Sequence, residues 1–381
     1  MLYLRHFEES RRIDSGSAGQ TVSLPGNEPS PRGGCVGVSA AMNILSSYSY
    51  EVSIIIVVLN VRDLLRECLQ SLLAECDRLP SGLSAEVLVV DNGSSDGSPE
   101  MVAHEFSGTR IPVRLIRSDV NLGFGVPNNL ALEAAQGRYL VLLNSDAFFH
   151  PGALRLALEH MDADPSVGIG GARLVGRDGA WQPSARSFPS IWRDALVLTG
   201  LSTRFPRSRI FGAPDRTWAD PNEAAEVDWL PGAFLIARRE ALVRAGLFDP
   251  AFFLYYEEVD LCRRVKAAGF RILYWPDMVV THIGGETTRR FRSLTLSKTA
   301  SEVVLWRMRS TLLYYRKHHG WQARLALWLE LSLYTLRRLR NFRSPNPARR
   351  ERAQEAALLI RLMHQAWQET QGGRVGPPSP W

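Results

Sequence analysis

The sequence predicts an α/β fold: a mostly parallel central sheet flanked by helices, followed by a helical region. Two observations carry this. From Val52 onward, strand-like runs alternate with stretches of helical spacing. The strand-like runs are continuously apolar, as strands buried on both faces are, rather than alternating. Sheets of this kind bind ligands outside the carboxyl ends of their strands, and here three strands end on polar residues, at Asn60, Asp91 and Asp146. A chain of 381 residues with 45% hydrophobic content is long enough to bury the required core.

Residues 15–41 are rich in Gly, Ser and Pro and read as a flexible extension. Residues 1–49 form this extension, and those before Met42 read either as dispensable or as a regulatory or docking arm, which the sequence leaves open. "VSIIIVVLN" (Val52–Asn60) is a buried strand, and "DLLRECLQSLLAEC" a helix. "AEVLVVDNGSSDGS" is a second strand ending in a polar loop, and "PEMVAHEF" a short helix. "VRLIRS" is a third strand, "PNNLALEAAQ" a helix, and "YLVLLNSDAFF" a fourth strand that stops on Asn144, Ser145 and Asp146. Beyond it, "VGIGGARLVGRDGAWQPSARSF" predicts a hairpin turning at Asp178-Gly179. "VDWLPGAFLIARREALVRAGLFD" predicts a strand running into a helix. "FFLYYEEVDLCRRVKAAGF" predicts a helix with an acidic start and a stop at Gly269. "RILYWPDMVVTHIGG" adds a strand ending at His282.

These readings bound a catalytic domain at 50–295 and a basic, amphipathic helical extension at 296–370. Residues 371–381, with a Gly- and Pro-rich sequence, are expected to be disordered. In the extension, Trp321, Leu325, Trp328, Leu329, Leu333, Leu336 and Leu339 approximate one helical face, and Arg337, Arg338, Arg340 and Arg343 gather at its end. Such a helix fits an anionic bilayer or a packing face on its own domain, and the sequence leaves both open. Its Trp and Leu content argues against nucleic acid, although the net charge of +6 suits an anionic partner.

The opening residues lack the apolar stretch of a secretory signal, and no run of about 18 apolar residues predicts a spanning helix. Four cysteines without a CxxC pair read as reduced thiols of a cytoplasmic protein. "GFGVPN" (Gly123–Asn128) lacks the third glycine of a dinucleotide cradle and follows a later strand, so a redox fold is disfavoured. GKS and GKT are absent, which excludes a P-loop.

Taken singly, the polar residues have two readings each. Asp91 could contact a base or ribose, or close a turn and cap a helix. Asp146 could cap the helix near Pro151. Glu257 and Glu258 could be a general base, or the solvated first turn of a helix whose dipole they suit. A lone His282 is usually structural.

Taken in order, "VSIIIVVLN", "VLVVDNGSSDGS", "NLGFGVPNN", "YLVLLNSDA", "DWLPGAFLIARREAL", "FFLYYEEVDLCRRVKAAGF", "THIGG" and "YYRKHHG" resemble glycosyltransferase family 2, the inverting GT-A enzymes, and especially rhamnosyltransferase-like bacterial members. The resemblance covers roughly residues 51–320. It implies a GT-A fold and transfer of a sugar from a nucleotide-diphosphate donor (a dTDP- or UDP-sugar, with L-rhamnose a candidate) to a glycan or lipid-linked acceptor in cell-surface polysaccharide synthesis. It also implies peripheral work on the inner face of the cytoplasmic membrane.

The family's roles fall on particular residues. Asp146 and His282 would bind a divalent ion, Mg or Mn, which neutralises the departing diphosphate. Asn144 stands where the D-x-D-like motif has its first acid, which predicts weaker metal binding. Asn60, Asp91, Asp96, Asn121, Gly123, Asn144 and Ser145 would surround the nucleotide. Trp229 and Gly232 would line the sugar and acceptor. Glu258 would be the base, with Glu257 second, because adjacent carboxylates raise each other's pKa. Lys317, His318 and His319 would meet an acceptor phosphate or the membrane. The Asn144 and Glu258 departures leave a second function open, a non-catalytic nucleotide- or glycan-binding protein that kept the fold.

Overall fold

The computed structural model describes residues 48–284 and 298–377, the side chains of residues 298–300 aside. The extension before Met42, and residues 378–381 of the tail, lie outside the described residues. Residues from Ser47 onward form one compact unit.

The first half builds β1 (Tyr50–Val58), α1 (Arg62–Cys76), β2 (Ala85–Asn92), α2 (Ser98–Glu105), β3 (Val113–Ser118), α3 (Gly125–Ala134) and β4 (Gly137–Asn144). Then come β5 (Ala147–Phe149), α4 (Ala153–Ala163), β6 (Val167–Val175) and β7 (Trp181–Gln182). Helices α5 (Ile191–Leu198) and α6 (Leu201–Arg204) precede β8 (Ala225–Glu226), β9 (Phe234–Arg238), α7 (Arg239–Ala245), α8 (Glu257–Ala267) and β10 (Arg271–His282). Three long helices finish the chain: α9 (Lys298–His319), α10 (Gln322–Asn341) and α11 (Pro347–Glu369).

One sheet runs in the order β3-β2-β1-β4-β9-β6-β10-β5, with β7 on β6 and β8 on β10. The half from β3 to β4 is parallel throughout. β9 is antiparallel to β4 and β6, and β10 returns parallel to β6. Alternate residues feed two cores. Ile54, Ile56, Val87, Val89, Val141 and Leu143 face one side. Ile55, Leu88, Val90, Leu140 and Leu142 face the other. The continuous apolar runs of the sequence follow from this double burial.

Chain order reverses between β1 and β4, because β2 and β3 lie on one side of β1 and β4 on the other. The connections leaving β1 and β4 therefore diverge and open a crevice at their carboxyl ends. Asn60 and Asn144 stand at its two lips.

The hairpin at Asp178-Gly179 forms as expected. Gly179 has φ +75°, and β7 returns antiparallel to β6. The strand expected from "VDWLPGAFLIA" begins only at Phe234, because residues 227–233 bend away to line the crevice. The tail from Gln371, expected to be disordered, is packed as far as the described residues run. Gly372 and Gly373 are buried, and a Cβ on Gly373 would lie 2.2 Å from the Leu312 carbonyl of α9. Cys68, Cys76 and Cys262 are buried free thiols. Among the described residues no helix is long and apolar enough to cross a membrane.

Candidate active site

The β1 and β2 ends lock onto each other. Asn60, in the left-handed region at φ 54°, accepts the Ser95 N–H through its side chain at 2.8 Å. Its own N–H donates to Ser94 Oγ at 3.0 Å. Asp91 is buried and accepts the Ser94 N–H at 3.3 Å. Asp96 acts on the chain itself. Its carboxylate takes the Arg62 N–H at 2.8 Å and the Ser98 N–H at 3.0 Å, tying the starts of α1 and α2 together. The role given to Asp96 by the resemblance, beside the nucleotide, is thus matched by a bracing role within the chain.

Asn121 and Gly123 also serve the scaffold. Asn92, which the sequence reading passed over, donates to Asn121 Oδ1 at 2.9 Å and to the Gly123 carbonyl at 2.8 Å. It accepts the Leu122 N–H at 2.8 Å. Gly123 has φ +83°, and a Cβ there would fall 2.1 Å from the Phe253 carbonyl. The glycine is required by close approach of the 249–256 loop, not by a nucleotide cradle. Val126 and Pro127 lie in the first turn of α3.

The β4 mouth gathers the metal candidates. His282, at the end of β10, places Nε2 3.5 Å from Asp146 Oδ1 and 3.4 Å from the Asn144 amide. Residues 136 positions apart in the chain meet because β5 lies antiparallel on β10, pairing Ala147 with His282. Ser145 sits half-buried between the two. Gln182, at the end of β7, was not foreseen. It donates from Nε2 to the His282 carbonyl at 2.8 Å, and its Oε1 lies 3.1 Å from His282 Nδ1.

A carbonyl only accepts, so this contact fixes which way the Gln182 amide points. Its oxygen must face Nδ1, and Nδ1 must carry the proton. The Nε2 lone pair then faces Asp146 and the Asn144 amide nitrogen, which can donate to it at 3.4 Å, and it is the atom a metal would take. Carboxylate and imidazole together suit manganese or magnesium. Among the described residues no cluster of three or more His, Cys, Asp or Glu side chains gathers. The donor set therefore fits an ion that completes its shell with phosphate and water oxygens.

The carboxylate pair starts α8. Tyr255 and Tyr256 precede it, both in the left-handed region at φ 69° and 68°. Side chains resist that conformation, so the turn is held by its surroundings. Ser310 of α9 donates to the Leu254 carbonyl at 2.8 Å, and Tyr256 packs with Tyr314 and Tyr315. Glu257 is buried; burial and the neighbouring Glu258 raise its pKa. Glu258 is half-buried, and burial raises its pKa too. The Gly232 N–H and the nearby Arg186 charge oppose that rise. Each carboxylate has one buried oxygen without a hydrogen-bond partner among the described residues.

Trp229 and Gly232 frame this pair. Residues 186 and 229 form a two-way backbone bridge, and the Arg186 guanidinium lies 5.0 Å over the Trp229 ring. The backbone then joins the two halves of the site. Asn144 N–H donates to the Ala233 carbonyl at 3.0 Å, and the preceding Gly232 reaches Glu258. The residues proposed for metal and base thus meet through one short segment, 232–233.

Lys317 and His318 take no part in an open phosphate site. Lys317 Nζ lies 2.7 Å from Asp260 and 2.6 Å from Asp249, and His318 Nε2 lies 2.7 Å from Asp260. Arg264 binds the second Asp260 oxygen at 2.8 Å. Burial works against the Asp260 charge, but the His318 hydrogen bond and the Lys317 and Arg264 cations outweigh it and hold its pKa down at about 2. The basic motif thus ties α9 to α8, and its expected contact with an acceptor phosphate or membrane is replaced by an internal one. His319 is part-buried, which lowers its pKa. A cavity of about 610 Å³ lies nearby, between Phe252, Arg316, Lys317 and Arg374, away from the metal and base residues.

Comparison with known proteins agrees with this layout. The sequence profile of glycosyl transferase family 2 matches residues 53–218. N-acetylglucosaminyl-diphospho-decaprenol L-rhamnosyltransferase of Mycobacterium tuberculosis is 30% identical over 246 residues, 62% of this chain and 76% of that protein. Rhamnosyltransferase WbbL of Escherichia coli is 27% identical over 205 residues, 50% of this chain and 69% of that protein. In structure, mannosyltransferase PcManGT of Pyrobaculum calidifontis, solved with GDP-Man and Mn2+, superposes with TM-score 0.52 at 17% identity, over 87% of this chain and 94% of that one. The chain is a glycosyltransferase with the GT-A fold, and it belongs to glycosyltransferase family 2 as a rhamnosyltransferase-like member.

Proposed function

We propose that this glycosyltransferase is inverting and metal-dependent, and moves a hexosyl group, L-rhamnose the leading candidate, from a nucleoside diphosphate to a lipid-linked acceptor. The observation that supports it most is the joining of Asn144, Asp146 and His282 to Glu258 through residues 232–233. Relatives named as rhamnosyltransferases, one for a decaprenol-linked acceptor, support the donor sugar and the acceptor class.

Asp146 and Nε2 of His282 would hold the ion, with Asn144 beside them. A bound divalent ion offsets the charge that grows on the departing nucleoside diphosphate. Asp91 and the Asn60–Ser95 loop form the floor on which the nucleoside rests. Glu258, with its raised pKa, accepts the proton of the acceptor hydroxyl. The acceptor oxygen bonds to the anomeric carbon while the bond to the diphosphate oxygen breaks on the opposite face, so configuration inverts. Arg186 and the Gly232 N–H keep the Glu258 carboxylate charged often enough to act. Trp229 walls the acceptor side.

The test is a donor screen. Purified protein with manganese, a lipid-diphosphate acceptor and a panel of dTDP-, UDP- and GDP-sugars should release nucleoside diphosphate with dTDP-rhamnose above the others. Release with no donor, or Asp146→Ala at wild-type rate, would overturn the reading.

A further inference from the structure

Helix α10 has two apolar faces. Ala323, Ala326, Glu330 and Tyr334, spaced three and four residues apart, are buried against the rest of the chain. The opposite face carries Trp321 at 65% exposure, Trp328 at 64% and Leu339 at 60%, with Leu325 and Leu336 between them. These too recur at helical spacing, so they form one stripe about five turns long, with Ser332 at its middle. Tryptophans this open to water are unusual on a surface with no partner.

The exposed charge that α10 and the residues just after it carry is of one sign. Arg324, Arg338, Arg340 and Arg343 are exposed along it. From Trp321 to Arg350 the sequence holds one carboxylate, Glu330, and it is buried and paired with Arg307 at 2.8 Å. A protein partner would be expected to meet apolar side chains and arginines with a mixed surface. An apolar stripe whose exposed charges on its own helix are all arginines, of which Arg337 pairs with Glu355 of α11, matches an anionic bilayer surface. The neighbouring α5 adds Trp192 at 47% and Val197 at 51% exposure.

The buried face has a functional neighbour. Ala323 and Ala326 pack in the same apolar cluster as Trp229 and Tyr256, which frame the carboxylate pair. The stripe is therefore about one helix diameter, on the order of 10 Å, from the residues that wall the acceptor side.

We infer that the exposed face of α10 is a docking surface for an anionic lipid bilayer, which holds the acceptor side of the site at the membrane. The lipid docking itself goes beyond the transfer reaction; placing the acceptor side at the membrane rests on the function proposed above. The test uses the full chain with vesicles of equal parts phosphatidylglycerol and phosphatidylcholine, and with phosphatidylcholine alone, read by flotation. Wild type should float with the anionic vesicles and lose binding as salt rises. Trp321→Ser with Trp328→Ser should weaken binding by about tenfold or more. Arg338→Gln with Arg340→Gln and Arg343→Gln should remove most of the salt dependence. All five side chains are exposed, and unchanged thermal melting would confirm intact folding.

Wild type that ignores anionic vesicles would overturn the inference, as would a double tryptophan variant that floats like wild type. A wild-type dimer split by the tryptophan changes would assign the stripe to a second copy and also overturn it. So would an arginine-dependent shift of duplex DNA without vesicle binding.

Discussion

Gln182→Leu tests how the imidazole is held. Leucine keeps the bulk but removes both hydrogen bonds, the 2.8 Å donation to the His282 carbonyl and the 3.1 Å acceptance from Nδ1. The proton is then no longer pinned to Nδ1, and the ring is free to turn its protonated nitrogen toward Asp146. Loss of such a supporting contact typically lowers metal affinity by about 10- to 100-fold, or roughly 1.4–2.7 kcal/mol. The half-buried His282 carbonyl also loses a partner, at a cost to stability of about 1 kcal/mol. Calorimetric titration of manganese in the presence of dTDP or UDP reads the affinity directly. Turnover against manganese concentration should show a raised half-saturation and a maximal rate recovered at high metal. Affinity within about twofold of wild type in a folded variant would refute the tautomer argument, since a pinned imidazole is worth at least tenfold.

Four further outcomes are expected. Glu258→Gln should lower transfer by about 10²- to 10⁴-fold while nucleotide binding persists; equal loss of binding would remove Glu258 from the role of base. In the wild type, burial raises the Glu258 pKa, so the rate should fall on the acid side at a pH above 4.5, the ordinary value, as the carboxylate takes up its proton. Gly123→Ala should destabilise by about 2 kcal/mol or more, since it adds left-handed strain and a Cβ against the Phe253 carbonyl; an unchanged melting temperature would contradict the close approach. Asp260→Asn should cost about 2 kcal/mol or more at pH 7. The folded pKa near 2 lies below the ordinary 3.8, so this stability is present above pH 3.8 and is lost as pH falls toward 2. Denaturant midpoints of variant and wild type that coincide at pH 7 would discount the clamp of α9 on α8.

Much of the site was legible because its signals are local. Apolar runs that end in Asn60, Asp91 and Asn144-Ser145-Asp146 announce strands and their carboxyl mouths within a few residues each. The ordered motifs then pointed to the family, and the strand order put those mouths along one crevice. Roles that depend on distant partners were not legible. Gln182 sits in a two-residue strand 100 positions before His282, and Arg186 meets Trp229 through a single bridge; neither carries a periodicity or a motif.

The same limit separates residue from role. The sequence by itself determined the double-faced sheet, since residues buried on both faces must be apolar throughout. It also determined the carboxylate pair at the start of α8 and the amphipathic character of α10. Only the tertiary structure decided that Asp96, Asn121 and Gly123 brace loops, and that Lys317 and His318 are consumed by Asp260. It also decided that the stripe of α10 faces outward while its alanines face the site. Composition fixes which chemistry a side chain carries. Which partner uses that chemistry is set by packing between segments far apart in the chain.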